Sequence, residues 1–195
     1  MDAPSQIKTR LSRVAAVVGL LAVGLAATPL LLSHADGPVF VFAGGPFRSG
    51  EKVTFDTLDW TALDTLHELE LEIVGATSSR ILWFSVHDGV PYVACDLDCI
   101  GGRLERWPQQ IERDDSVVIR IDGKRIDGRL AHVPHGTAEY DAVRAGRDRK
   151  YSGNEGGRAA AETAAHGTVV KVGEVLTGRS QRAEPVDRLY RVDPR

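Results

Sequence analysis

ILWFSVHDGVPYVAC, residues 81–95, and SVVIRIDGKRIDGRLAHV, residues 116–133, decide the fold of this chain. Each is a pair of apolar-rich runs broken by Asp-Gly, at Asp88-Gly89 and at Asp122-Gly123. A two-residue type I′ turn needs positive φ at both central positions, and Asp-Gly between apolar runs is a strong signal for it. Two antiparallel hairpins are therefore predicted. A third Asp-Gly, at Asp127-Gly128, falls inside the second strand of the second hairpin. There it predicts a bulge or kink.

Between the hairpins lies DLDCIGGRLERWPQQIERDD, residues 96–115, read as a short irregular or helical crossover. Any chemical site is expected along it. Upstream, HELELEIV (67–74) alternates, with Leu69, Leu71 and Ile73 on one face and Glu68, Glu70 and Glu72 on the other. Period two marks a half-buried strand, and the three glutamates form its wet face. Gly75–Ser79 reads as the following loop. Residues 56–67 form a short helix or stay irregular, with Trp60 as a packing anchor. Gly44-Gly45-Pro46 and Gly50 mark turns in a connector laid on the barrel surface, after a short apolar strand candidate at Val39–Phe42. The glycine spacing matches no phosphate-binding loop.

Downstream, Thr137 is a predicted N-cap for a helix within 135–153, with Glu139 and Asp141 in its first turn and basic residues at its end. Residues 154–166 suggest a second, weaker helix, 167–175 a strand, and Val186, Leu189, Tyr190 and Val192 a last strand. Several antiparallel strands with short turns imply a small barrel or sandwich.

The chain has 195 residues, and its N-terminus stands apart. Lys8, Arg10 and Arg13 precede VAAVVGLLAVGLAATPLLL (14–32), an uncharged run close to the roughly 20 residues that cross a bilayer. The basic flank places the remainder outside the cytoplasm. Ser33-His34-Ala35 has the small residues a signal peptidase accepts, so a cleaved signal competes with an uncleaved anchor. The run exceeds the usual signal core, which favours the anchor. Residues 1–35 are thus an anchor or signal segment, and 36–195 a single domain of about 160 residues. A net charge of −3 gives no footprint for nucleic acid.

With these parts in place, the chain resembles the FMN-binding split β-barrel, pyridoxamine-phosphate-oxidase-like superfamily. It is most similar to the deazaflavin/nitroreductase-like branch and to membrane-anchored relatives. The resemblance spans residues 40–195. It rests on the order of GGPFRSGE (44–51), the acidic strand and its loop (68–79), ILWFSVHDG (81–89) and PYVA (91–94). It continues through VVIRIDGK (117–124), GRLAHV (128–133), the Arg-Lys-Tyr helix end (149–151) and LYRVDPR (189–195). The resemblance implies a six-stranded barrel that binds flavin or deazaflavin, commonly at a homodimer interface. It implies phosphate held just after the third strand and in the next helix, which here means Cys95 to Cys99, Arg103 and Arg106. Arg103 and Arg106 suit that role, together with Arg80 and Lys124. Asp96 and Asp98 do not, because carboxylates repel a phosphate. Trp83 or Trp107 would pack on the isoalloxazine ring.

The C-D-L-D-C segment has three readings. Two thiolates and two carboxylates are metal-ligand types, but zinc sites need a second pair of ligands, here sought among His87, His132 and His135. A Cys95–Cys99 disulfide suits an exported domain and requires a non-helical turn. Two ordinary thiols are the third reading. His87 beside its turn reads as solvent-facing. Arg120, Lys124, Arg125 and Arg129 form a basic hairpin, read as a solvated face or as a seat for an anionic ligand or lipid headgroup. No Gly-x-Ser-x-Gly motif is present.

The prediction is a mainly β (α+β) antiparallel split barrel with a few short helices, tethered to the membrane by one N-terminal transmembrane helix. Its function is either that of a flavin- or deazaflavin-dependent oxidoreductase or that of a non-catalytic binding or structural module that has lost its cofactor.

Overall fold

The computed structural model describes residues 30–39, 42–95, 107–152 and 188–195, with isolated positions at 171, 172, 175 and 178. Seven strands are described: β1 (Glu51–Lys52), β2 (Glu68–Ile73), β3 (Ser78–His87), β4 (Val90–Cys95), β5 (Ser116–Ile121), β6 (Lys124–Val133) and β7 (Arg188–Pro194). Three α-helices accompany them: α1 (Trp60–Leu63), α2 (Trp107–Ile111) and α3 (Ala138–Ser152).

The strands run β6-β5-β2-β3-β4-β7, and β7 pairs back onto β6. That closes a six-stranded antiparallel barrel; β1 adds two residues in parallel on the outer margin of β6. Closure gives each of the six strands a neighbouring strand on both sides, so the sheet has no terminal strand. Both predicted turns form. Asp88 and Gly89 have φ of 49° and 77°, and Asp122 and Gly123 have 49° and 72°, the two successive positive values of a type I′ turn.

Inward residues alternate most clearly along β2, β5 and β6. Leu69, Leu71, Ile73, Phe84, Val93, Val117, Ile119, Ile126, Tyr190 and Val192 fill one core, capped by Trp60 and by Trp107 and Ile111 of α2. Outside the barrel, Tyr140 and Val143 of α3 pack on Tyr92, Ala94, Val133 and Leu189 as a second cluster. Thr137 caps α3 as predicted, its Oγ accepting the Tyr140 N–H at 3.2 Å.

Four expectations change. The Asp127-Gly128 step makes no bulge: β6 stays in register with β5 through Val118↔Asp127 and Val117↔Gly128. Glycine serves there because β7 runs close by. A Cβ on Gly128 would sit 3.2 Å from the Asp193 carbonyl oxygen and 3.3 Å from Val192 Cγ1. The glutamates of β2 do not form a wet face. Glu72 is only 9% exposed and accepts the Phe47 N–H at 2.7 Å, and Glu70 pairs with Arg120. The connector, through Asp36 and residues 44–50, lies over that face, which alternation within β2 cannot reveal. The loop at 75–79 is shorter than expected, since β3 begins at Ser78. Within 167–175 the described positions Lys171, Val172 and Val175 have helical backbone, not strand. Strand propensity is the more context-dependent preference, and valine content alone did not decide that segment. The predicted helix at 154–166 and the apolar run up to residue 29 lie outside the described residues.

Candidate functional site

Two surface features of the barrel set clustered polar side chains beside a cleft. The first is built by the connector across β2 and β5. Gly44 bridges Ser79 of β3, whose hydroxyl donates to the Gly45 carbonyl at 2.6 Å. Asp36 accepts the Arg48 N–H at 2.7 Å and the Ser49 N–H at 3.2 Å. The Arg48 N–H first and the Ser49 side chain next, with the Ser49 N–H and Arg120 assisting, hold its carboxyl well below the usual carboxylate range against the opposing effect of burial. Arg120, on β5, is the hub. It is ion-paired with Glu70 on the neighbouring strand and with Asp36 at 3.0 Å, donates to Ser49 Oγ at 3.0 Å and covers the Phe47 ring at 4.4 Å. Burial opposes its charge, but Glu70 and Asp36 more than offset that, so its pKa is raised. Arg125 holds the connector's far end through the Phe47 and Gly50 carbonyls, at 2.9 and 3.2 Å. A cleft of about 520 Å³ opens beside this hub, bounded by Glu68, Glu70, Ile81 and Arg120.

The second feature lies under the C-terminal half of α3. Lys150 Nζ pairs with Asp64 at 2.8 Å and donates to the Phe84 carbonyl at 2.9 Å. Burial lowers its pKa, against the pull of Asp64. The Tyr151 hydroxyl lies 2.8 Å from the His67 carbonyl and 2.5 Å from that of Phe84, and burial raises its pKa. Arg147 is 5% exposed and donates to the Trp83 carbonyl at 3.2 Å. A cleft of about 440 Å³ lies here, lined by Asp64, His67, Ser85, Gly146 and Lys150. Ser85 is 3% exposed, and its hydroxyl has no hydrogen-bond partner among the described residues.

The predicted site residues that are described, Arg80, Trp83, Trp107 and Lys124, do not converge. Arg80 sits on β3 opposite Leu71, whereas Lys124 opens β6 opposite Ile121, with β2 and β5 in between. Trp83 is outside the barrel, stacked on Tyr151 with centroids 4.6 Å apart and planes 12° from parallel. Trp107 is 1% exposed in the core, tilted against Tyr190 at 5.1 Å. It cannot pack on a bound ring, because its faces are taken by the protein. His132 and His135 stand against Tyr190 and Tyr140, respectively, and His87 is within 3.5 Å of Asp88 at its turn. Among the described residues no group of three His, Cys, Asp or Glu side chains forms a metal site. Cys95, 2% exposed at the end of β4, is disulfide-bonded. Cys99, Asp96, Asp98, Arg103 and Arg106 lie outside the described residues.

These described residues do not fit a flavin. One candidate ring is buried, the other has a face covered by tyrosine, and the two candidate cations stand strands apart. The basic residues that do cluster, Arg120 and Lys150, are committed to carboxylates of the same chain.

No protein-family model matches the chain, and no curated protein matches it. Solved structures similar to it include a candidate pyridoxamine 5'-phosphate oxidase from Listeria innocua, with 12% identity over 69% of this chain and 88% of that one and a TM-score of 0.40. A FAD-binding protein from Mesorhizobium loti matches at 11% identity over 69% and 86%, with a TM-score of 0.39. HutZ, the heme storage protein from Vibrio cholerae, matches at 12% over 69% and 87%, with a TM-score of 0.42.

Proposed function

We propose that this chain is a single-pass membrane protein whose split barrel lies outside the cytoplasm and acts as a non-catalytic binding or structural module. The observation that carries this is the internal engagement of the two rings a flavin would pack on, Trp107 inside the core and Trp83 on Tyr151, with the candidate cations Arg80 and Lys124 separated by two strands. Using either ring for a cofactor means breaking a contact of the fold. The location is supported by the basic flank and uncharged run of residues 8–32. The disulfide state of Cys95 also suits an oxidising compartment.

The oxidoreductase reading retains one favourable observation. The buried Ser85 hydroxyl lines a cleft beside Lys150. In that reading the flavin supplies hydride chemistry and the protein supplies only its seat. The two separate in one experiment. The full chain is purified from membranes in detergent, its visible spectrum recorded, and FMN and a deazaflavin cofactor titrated in. The module reading expects no flavin band and no saturable binding. A co-purifying flavin band, or saturable binding of either cofactor, overturns it.

A further inference from the structure

Lysine is among the side chains least often taken out of water, and then it is normally paired. Lys150 keeps 11% of its side chain exposed and stands on the wall of the cleft under α3. Asp64 at 2.8 Å and the Phe84 carbonyl at 2.9 Å take two of its three N–H groups. A second cation shares its surroundings. The Arg147 guanidinium is 5.4 Å and Lys150 Nζ 5.6 Å from the centroid of the same Tyr151 ring. Desolvation and a neighbouring cation both favour the neutral amine, which is the nucleophile. The Lys150 pKa moves in that direction, through burial first.

Two further features of the cleft serve no contact of the fold. Ser85 is 3% exposed, and its hydroxyl has no hydrogen-bond partner among the described residues. A buried hydroxyl left unpaired is destabilising, and a bound molecule removes that penalty by pairing with it. Gly146 stands four positions before Lys150 on α3, so the two share a face of the helix. Glycine inside a helix is unfavourable relative to alanine. Packing does not require it here, because a Cβ would meet only Arg149 Nη2, 3.9 Å away. Its missing side chain leaves open space in the wall it shares with Ser85 and Lys150, in a cleft of about 440 Å³. That volume suits a small organic molecule.

We infer that Lys150 is a reactive amine that captures small aldehydes in this cleft as a protonated imine. The step needs neither oxidant nor reductant. Asp64 takes one proton from the ammonium, and the freed Nζ electron pair attacks the carbonyl carbon. The C–N bond forms as the C=O π bond opens, with the Ser85 hydroxyl as the donor available to the oxygen. A proton passes from Nζ to that oxygen and gives a carbinolamine. Asp64 returns its proton to the hydroxyl, water leaves and the C=N bond forms. The product is a cation like the ammonium it replaces, so the ion pair with Asp64 survives. Asp64 is held for this by the Val86 N–H at 2.8 Å. The inference goes beyond the module reading and does not depend on the anchor.

The full chain in detergent is incubated near neutral pH with butyraldehyde and sodium cyanoborohydride, which fixes an imine as a secondary amine. Labelling of each lysine is followed by peptide mass spectrometry. Lys52 is the internal reference, since it too is ion-paired, with Asp127 at 2.8 Å, but is 69% exposed. Although less exposed, Lys150 is expected to be labelled roughly tenfold faster than Lys52. In urea the two rates are expected to become equal. Gly146→Leu, which fills the cleft with a helix-favouring side chain, is expected to abolish labelling of Lys150 and leave that of Lys52 unchanged. Ser85→Ala is expected to slow Lys150 alone. Labelling of Lys150 no faster than Lys52 in the folded chain overturns the inference, and so does an advantage that persists in a folded Gly146→Leu. If circular dichroism shows that variant to be unfolded, Ser85→Ala decides: an unchanged Lys150 rate without the hydroxyl overturns the inference.

Discussion

Arg120 shows how a residue acquires its role from neighbours that are remote in sequence. Alternation along β5 puts it on the outer face, and alternation along β2 does the same for Glu70. Neither pattern says that β2 and β5 are adjacent, or that Asp36 is folded back over both. The resulting ion pairs are neither open nor deeply buried, with side-chain exposures of 15% for Arg120, 30% for Glu70 and 34% for Asp36. Exposed pairs contribute up to about 1 kcal/mol, and breaking a buried one costs 3–5 kcal/mol, so Arg120→Met should destabilise the barrel by about 2 kcal/mol in urea unfolding. Asp36 adds a pH dependence. Its folded pKa is depressed, so its contribution is complete above the ordinary carboxylate value of about 4 and is lost as the pH falls below it. Stability measured down that acid limb should fall less steeply in Asp36→Asn than in the unsubstituted protein. An equal slope in both would show that the clasp is not felt.

Single elements were legible where local chemistry alone decides them. Both Asp-Gly turns, the Thr137 cap and the alternating run of β2 are set by neighbours within a few positions, and all three form. Gly128 was legible only as an anomaly. Its explanation lies on β7, some sixty positions away, where the Asp193 carbonyl and Val192 stand so close that a side chain would have to push them aside. Gly128→Val should therefore strain the β6–β7 seam and cost about 2 kcal/mol, within the usual range for overpacking. Amide exchange of β7 residues should quicken more than that of β2. If β2 and β7 respond equally, the strain is not local to the seam. Tryptophan roles were the least legible: in a barrel strand the same residue type serves inside or outside, and only register places Trp83 outside.

On the scale of the molecule, β7 is the closing stave. It pairs with β4 through Tyr92↔Arg191 to Cys95↔Arg188 and with β6 through Gly128↔Pro194 to Val133↔Leu189. A chain ending before Arg188 would leave β4 and β6 with open edges and remove Leu189, Tyr190 and Val192 from the two cores. Such a truncation should aggregate rather than fold, which the soluble fraction and far-ultraviolet circular dichroism would report. Recovery of a soluble, β-rich product would refute that role for β7.

Read alone, the amino-acid sequence determined the two Asp-Gly hairpins, the alternating strand over β2, the last strand, the capped helix after Thr137, and an apolar N-terminal run beside a basic flank. Turn chemistry, side-chain periodicity and transfer of apolar surface from water are all local or additive, so one chain displays them without coordinates. Only the tertiary structure decided which strands are neighbours, that the connector covers the β2 glutamates, and that the candidate rings Trp83 and Trp107 are engaged at home. Those outcomes depend on pairs of residues far apart in the chain, and barrel closure is what brings them within a few ångströms of each other.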